Sequence, residues 1–78
     1  MNSPKIKSIK VNSGNYSMLI LFDNGITKNI DFKEKLKEEF YSDLKNKLLF
    51  EQAQVDAGGY GVSWNDDIDI SEYELWNM

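Results

Sequence analysis

Residues 16–32 carry two short segments rich in apolar residues, 16–22 and 26–32, on either side of a turn signal, a pattern that predicts a β-hairpin. The connection contains Asp-Asn-Gly at positions 23–25, which allows two registers. A two-residue Asn-Gly loop would mix polar and apolar side chains on both faces. A three-residue loop, with Gly25 in the left-handed region, gathers the apolar residues on one face and leaves Lys28 out of place. We therefore predict the three-residue loop, with an apolar face made of Tyr16, Met18, Ile20, Phe22, Ile26, Ile30 and Phe32.

A first strand that ends at Val11 precedes this hairpin, and the polar residues 12–15 form a turn. A four-residue loop there pairs Val11 with Tyr16 and Ile9 with Met18. Both pairs fall on the apolar face of the hairpin. The pattern thus predicts a three-stranded antiparallel meander with one face that needs cover.

The following segment is predicted to be the helix that covers this face. Residues 33–46 have helical composition, and Leu36, Phe40 and Leu44 recur four residues apart. A break after Tyr41, where a serine could cap a second short helix, is an alternative.

The last third of the chain predicts a second β-hairpin and a short terminal helix. The two glycines at positions 58–59 form a two-residue turn signal that pairs Val55 with Val62. Ser71 and Glu74 form a capping box, so a helix begins at Glu72. The residues predicted to face inward are Ala53, Val55, Ala57, Tyr60, Val62, Trp64, Ile70 and Leu75.

These elements fit one α+β domain over residues 1–78, in the order βββαββα. The chain has no cysteine, and its first residues lack the apolar core of a secretion signal, so we expect a cytoplasmic protein. The longest apolar run, residues 18–22, is far too short to span a membrane.

The charge of the chain favours a protein partner over nucleic acid. All nine basic residues are lysine, and the net charge is −4. Direct binding of nucleic acid needs a basic patch, so we expect none. An acidic surface is compatible with a basic protein partner, although it also simply keeps a small domain in solution.

Composition also argues against catalysis. The chain has neither histidine nor cysteine, so the usual nucleophile–base pairs are missing, and we expect no enzyme activity and no cofactor. Asp66, Asp67, Asp69 and Glu72 form an acidic cluster at the terminal helix, within which Asp67, Asp69 and Ser71 resemble the start of a calcium loop. Glu72 and Met78 occupy the positions where such a loop needs glycine and glutamate. We assign no metal ligand, and we keep a ligand or ion at this acidic turn as the alternative function.

Three apolar residues are candidates for partner binding. Leu19 and Leu21 lie on the second face of the meander, where they are covered by the terminal helix, by a protein partner or by a second copy of the chain. Trp76, close to the C-terminus, is a further candidate because aromatic residues often anchor interfaces.

The order of several short motifs resembles the bacterial family called domain of unknown function 2442 (DUF2442). The motifs are Phe22-Asp23-Asn24-Gly25, Ile30-Asp31-Phe32, Leu44, Phe50, Val55-Asp56, Val62-Ser63-Trp64 and Asp69-Ile70. Residues 65–67 depart from the family pattern, which usually has Pro-x-Gly there. The resemblance implies a β-rich α+β domain and an antitoxin-like role as partner of a small companion protein. It transfers no catalytic residue.

Overall fold

Two three-stranded antiparallel sheets and a few short helices form the structure, a computed structural model that describes residues 3–78. The first sheet has the order β1-β2-β3 and the second the order β4-β5-β6. The predicted α+β class is therefore confirmed. The strands are β1 (Ile6–Asn12), β2 (Ser17–Phe22), β3 (Thr27–Asp31), β4 (Gln54–Val55), β5 (Gly61–Ser63) and β6 (Asp69–Ser71), and the α-helices are α1 (Lys47–Phe50) and α2 (Glu72–Trp76).

The hairpin of β2 and β3 has the predicted three-residue loop. The Phe22 amide donates to the Ile26 carbonyl at 2.9 Å, and Met18 lies opposite Ile30. Gly25 adopts φ +86°, the left-handed conformation that glycine tolerates best. The prediction that Ile26 is buried is wrong, because this residue directly follows the turn and is 48% exposed.

The pairing of β1 with β2 corrects the predicted register by two residues. Val11 lies opposite Met18, and Ile9 lies opposite Ile20. Tyr16 belongs to the loop, where its φ of +54° closes the turn. Since side chains alternate with a period of two, a shift of two residues keeps every side chain on its predicted face.

The segment after β3 is not the long helix that its composition predicts. It forms two 3-10 segments, Lys35–Lys37 and Glu39–Lys45, separated by Glu38 with ψ of 137°. Asn46 then caps α1, since its side-chain oxygen accepts from the Leu48 amide at 3.0 Å. The segment is interrupted at Glu38 and at Asn46, and not after Tyr41, where the alternative placed a break.

This change of helix type also changes which residues face the core. Residues three apart share a face in a 3-10 helix. Tyr41 and Leu44 are therefore buried together, whereas Phe40, predicted to be inward, is 54% exposed.

The second sheet confirms the predicted pairing of Val55 with Val62. Pairing stops one step earlier than predicted, because the Asp56 amide donates to the Gly61 carbonyl and residues 57–60 form the loop. Tyr60, predicted to be inward, is therefore 61% exposed.

Strand β6, absent from the predicted order, completes this sheet. Ile70 of β6 lies opposite Val62 of β5. The sequence assigns Asp69 to the acidic turn, Ile70 to an inward position and Ser71 to the helix cap, and pairing with β5 makes these three residues a strand.

One core joins the two sheets and α2. Phe32 contacts Phe50 and Trp64 edge to face, and the Trp64 indole donates to the Phe50 carbonyl at 3.1 Å. The largest fully buried side chains are Phe22, Phe32, Phe50, Met18, Ile20, Leu44, Leu75 and Val62. Among residues 3–78, no helix has the length and apolar character needed to cross a membrane.

The predicted start of α2 is confirmed. The Ser71 hydroxyl accepts from the Glu74 amide at 3.1 Å, and both Ile70 and Leu75 are buried. The Glu74 carboxylate does not complete the capping box, because it pairs with Lys35.

Candidate protein-binding surface

The first sheet has an inner face against the core and an outer face on the opposite side. The central row of the outer face is Lys10–Leu19–Asn29, in which each residue lies opposite its neighbour. We define the outer face by Ser8, Lys10, Leu19, Leu21, Thr27 and Asn29.

Leu19 and Leu21 form the apolar centre of the outer face. They are two residues apart on β2 and therefore point to the same side of the sheet. Leu19 is 44% exposed, and Leu21 is half-buried. Their neighbours on both adjacent strands are polar, and Lys10 is the charged member of this set. Depletion of charge around an apolar centre is typical of the middle of a protein interface.

A shallow cavity of about 430 Å³ lies beside Leu19, at the end of the sheet that carries the β1–β2 turn. Turn side chains hold its wall in place. The Gly14 amide donates to the Asn12 side chain at 3.1 Å, and the Ser17 hydroxyl donates to the Asn15 side chain at 2.6 Å. The cavity is lined by Lys10, Val11, Asn12, Ser13, Asn15, Ser17, Leu19 and Asn29.

Helix α2 lies on the inner side of the sheet. The Trp76 ring packs edge to face on Phe22, with centroids 5.0 Å apart, and Lys28 Nζ lies 5.6 Å from the Trp76 ring. Phe22 and Lys28 both lie on the inner face of the sheet, since Phe22 is opposite Ile6 and Lys28 is opposite Ile20. The terminal helix therefore does not cover Leu19 and Leu21, and the structure does not bring Trp76 together with them.

Two ion pairs hold α2 against the rest of the chain. Lys5 pairs with Glu72 at 3.2 Å, and Lys35 pairs with Glu74. Burial opposes ionisation of Glu72, but hydrogen bonds from Lys5 and from the Tyr73 amide outweigh it, so its pKa is lowered. The hydrogen bond to Glu74 raises the pKa of Lys35.

The model of the family described as "Protein of unknown function (DUF2442)" matches residues 6–77. The chain belongs to this family. The membership expected from the short motifs is thus confirmed, while the family description names neither an activity nor a partner for DUF2442. Comparisons with curated proteins and with solved structures found no match.

The acidic turn of this DUF2442 chain is organised by Asn65. Its side-chain oxygen accepts from the amides of Asp67 and Ile68, both at 2.9 Å. A polar groove of about 590 Å³ beside the turn includes Asp56, Asp66 and Asp69. Within the described part of the chain, no three acidic residues come together in a geometry that could hold a metal ion.

Lys28 has a role that sequence reasoning missed. Its position on an otherwise apolar row looked like a misfit, but its ammonium donates to the Trp76 carbonyl at 2.6 Å. The signal available in the sequence was the misfit itself, since a cation on an inner row needs an acceptor. Its acceptors lie 48 and 50 residues further along the chain, so local pattern could not identify them.

Proposed function

We propose that this DUF2442 protein is a non-enzymatic binding module of the bacterial cytoplasm. Its outer face would bind a small basic companion protein in an antitoxin-like pair. The observation that carries the proposal is that Leu19 and Leu21 stay uncovered, since α2 packs on the inner face at Phe22.

The exposure of these leucines favours binding of a partner that would bury them. A small domain gains stability by burying apolar residues, and Leu19 leaves 44% of its surface in water. A partner that covers the pair would recover this hydrophobic free energy. Two leucines whose cross-strand neighbours are polar, with Lys10 as the charged one, resemble the centre and rim of a small interface.

The net charge supports a basic partner. The chain as a whole carries −4 at neutral pH. Long-range attraction would increase the association rate of a positively charged companion. A role in binding rather than catalysis is also supported by the absence of histidine and cysteine from the sequence.

The test is affinity capture of the tagged protein from its native host, followed by titration with the purified companion. Three forms are compared: the parent, the double variant Leu19→Glu/Leu21→Glu, and the control Leu48→Glu. Leu48 lies on α1, is 74% exposed and does not belong to the outer face. Leu48→Glu therefore makes the same leucine-to-glutamate change outside the proposed binding surface.

We expect the parent and the control to bind one basic protein with 1:1 stoichiometry. In the double variant, two charges at the apolar centre of the interface should raise the dissociation constant by about 30-fold or more. Unchanged binding by the double variant would refute the assignment of the outer face, and no companion for any form would refute the binding function.

A further inference from the structure

Strand β3 presents an uncovered edge of the first sheet. The even-numbered residues of β3 make the hydrogen bonds to β2, since at the two ends of the hairpin the Phe22 amide donates to the Ile26 carbonyl and the Phe32 amide donates to the Tyr16 carbonyl. Backbone groups alternate along an antiparallel strand. Thr27, Asn29 and Asp31 therefore direct their amides and carbonyls away from β2.

The other outer strands are shorter or lie against the chain itself. β4 and β6 contain two and three residues. On β1, the bulge at residues 6–8 brings Ile6 close to Gly59, where an added Cβ would lie 2.3 Å from the Ile6 carbonyl oxygen. β3, a strand of five residues, presents the outward backbone groups of Thr27, Asn29 and Asp31 along its free edge.

A shallow groove of about 320 Å³ runs along this edge between β3 and Met78. Met78, which lines the groove, is 40% exposed, and Ile26, just before the first residue of β3, is 48% exposed. An extended strand laid along β3 would cover both residues and pair with the free backbone groups. This arrangement is strand addition to a sheet edge.

The charges of β3 select the register in which it could pair with itself. In an antiparallel pair centred on Asn29, Thr27 lies opposite Asp31 of the second copy, and Lys28 lies opposite Ile30 of the second copy. Like charges directly opposite each other destabilise a sheet, and here none are opposed. Centring the pair on Lys28 would oppose two lysines, and centring it on Asp31 would oppose two aspartates. The register centred on Asn29 also uses all five residues of the strand.

We propose that β3 pairs with β3 of a second copy of this chain, antiparallel and two-fold symmetric about Asn29, to form a continuous six-stranded sheet. The outer faces of both copies then lie side by side on one surface. An interface of five residue pairs is smaller than a standard interface of about 800 Å² per partner. We therefore expect a dimer with a dissociation constant on the order of 10 µM.

The test uses sedimentation velocity of the untagged full chain over about 5 to about 500 µM, a range that brackets the expected constant. Asn29 is exposed and faces its own copy across the axis, so its charge can be changed without disturbing the core. Asn29→Asp and Asn29→Lys each oppose two like charges, and we expect association to weaken at least about tenfold. An equimolar mixture of the two variants opposes unlike charges and should restore dimers.

Matched controls are Ser8→Asp and Ser8→Lys, which make similar charge changes on the outer face at β1. We expect both to dimerise as the parent does, and circular dichroism checks that all variants are folded. The double variant Leu19→Glu/Leu21→Glu should also dimerise. Loss of companion binding and loss of dimerisation can therefore be distinguished. A parent that stays monomeric throughout the range would overturn the proposal. So would undiminished dimers of either Asn29 variant, or a mixture that fails to associate.

Discussion

Lys28 on β3 donates a hydrogen bond from its ammonium to the carbonyl of Trp76 at the end of α2, at 2.6 Å. The same ammonium donates to the Met78 carbonyl at 2.8 Å. A lysine on the inner row of the sheet thus fixes the terminal helix by satisfying carbonyls that helix ends leave free. This contact keeps α2 on the inner side and leaves Leu19 and Leu21 uncovered.

Replacing Lys28 by methionine should lower the free energy of unfolding by about 1–2 kcal/mol, since hydrogen bonds from a charged donor are lost. Methionine keeps most of the apolar stem, so the change isolates the ammonium. Urea denaturation measures the difference. Lys10→Met on the outer face is the control, with an expected change of about 0.5 kcal/mol or less. Equal stability of the two variants would contradict the role of Lys28.

Gly59 should tolerate alanine much less well than Gly25 does. Both have positive φ, so both variants carry the cost of a left-handed side chain, about 1–2 kcal/mol. A Cβ at Gly25 meets nothing within 4 Å, whereas at Gly59 it would lie 2.3 Å from the Ile6 carbonyl oxygen. We expect Gly59→Ala to lower the free energy of unfolding by at least about 1 kcal/mol more than Gly25→Ala does, because its methyl group would clash with the backbone of Ile6.

Thermal unfolding checks this comparison, because 1 kcal/mol corresponds to about 4–8 °C in Tm for a domain of this size. A Gly59→Ala variant that melts at the temperature of Gly25→Ala would show that the two sheets do not meet at Ile6.

Phe40 and Leu44 should respond very differently to truncation. Leu44 is fully buried, so Leu44→Ala removes core packing and should cost about 2–5 kcal/mol. Phe40 is more than half exposed and packs its ring on Tyr41, so Phe40→Ala should cost about 1 kcal/mol or less. Denaturant titration of both variants measures this, and a continuous helix with Phe40 inward would instead make the two costs similar.

Stability should decline at both ends of the pH range through the ion pairs of α2. The pKa of Glu72 is below its usual value of 4.5, so its contribution is present above that pH and is lost as pH falls through the lowered pKa. The pKa of Lys35 is above its usual value of 10.5, so its contribution is present below that pH and is lost as pH rises through the raised pKa.

The measurement is Tm as a function of pH for the parent and for Glu72→Gln. The variant cannot titrate at this position, so its Tm should fall less steeply in acid while its alkaline decline stays unchanged. If Tm fell equally steeply at low pH in both proteins, Glu72 would not be a source of the acid sensitivity.

Sequence alone determined those features that depend on neighbouring residues. The Asp-Asn-Gly turn and the alternation around it set the β2–β3 register, because one slip would reverse both faces. Ser71 and the glutamate three residues later located the start of α2, because a cap acts within one turn. Alternation likewise placed Leu19 on the second face of the first sheet, whereas its exposure there depends on where α2 packs.

Tertiary structure decided the features that depend on distant partners. Residues 33–46 have helical composition, but packing of Tyr41 and Leu44 into the core selects 3-10 turns and turns Phe40 outward. β6 becomes a strand because β5 supplies its hydrogen bonds. The side of the sheet that α2 covers depends on Lys28 and Phe22, which lie about 50 residues earlier in the chain. Local propensity cannot predict such contacts, because they stabilise the structure only after the two distant segments have come together.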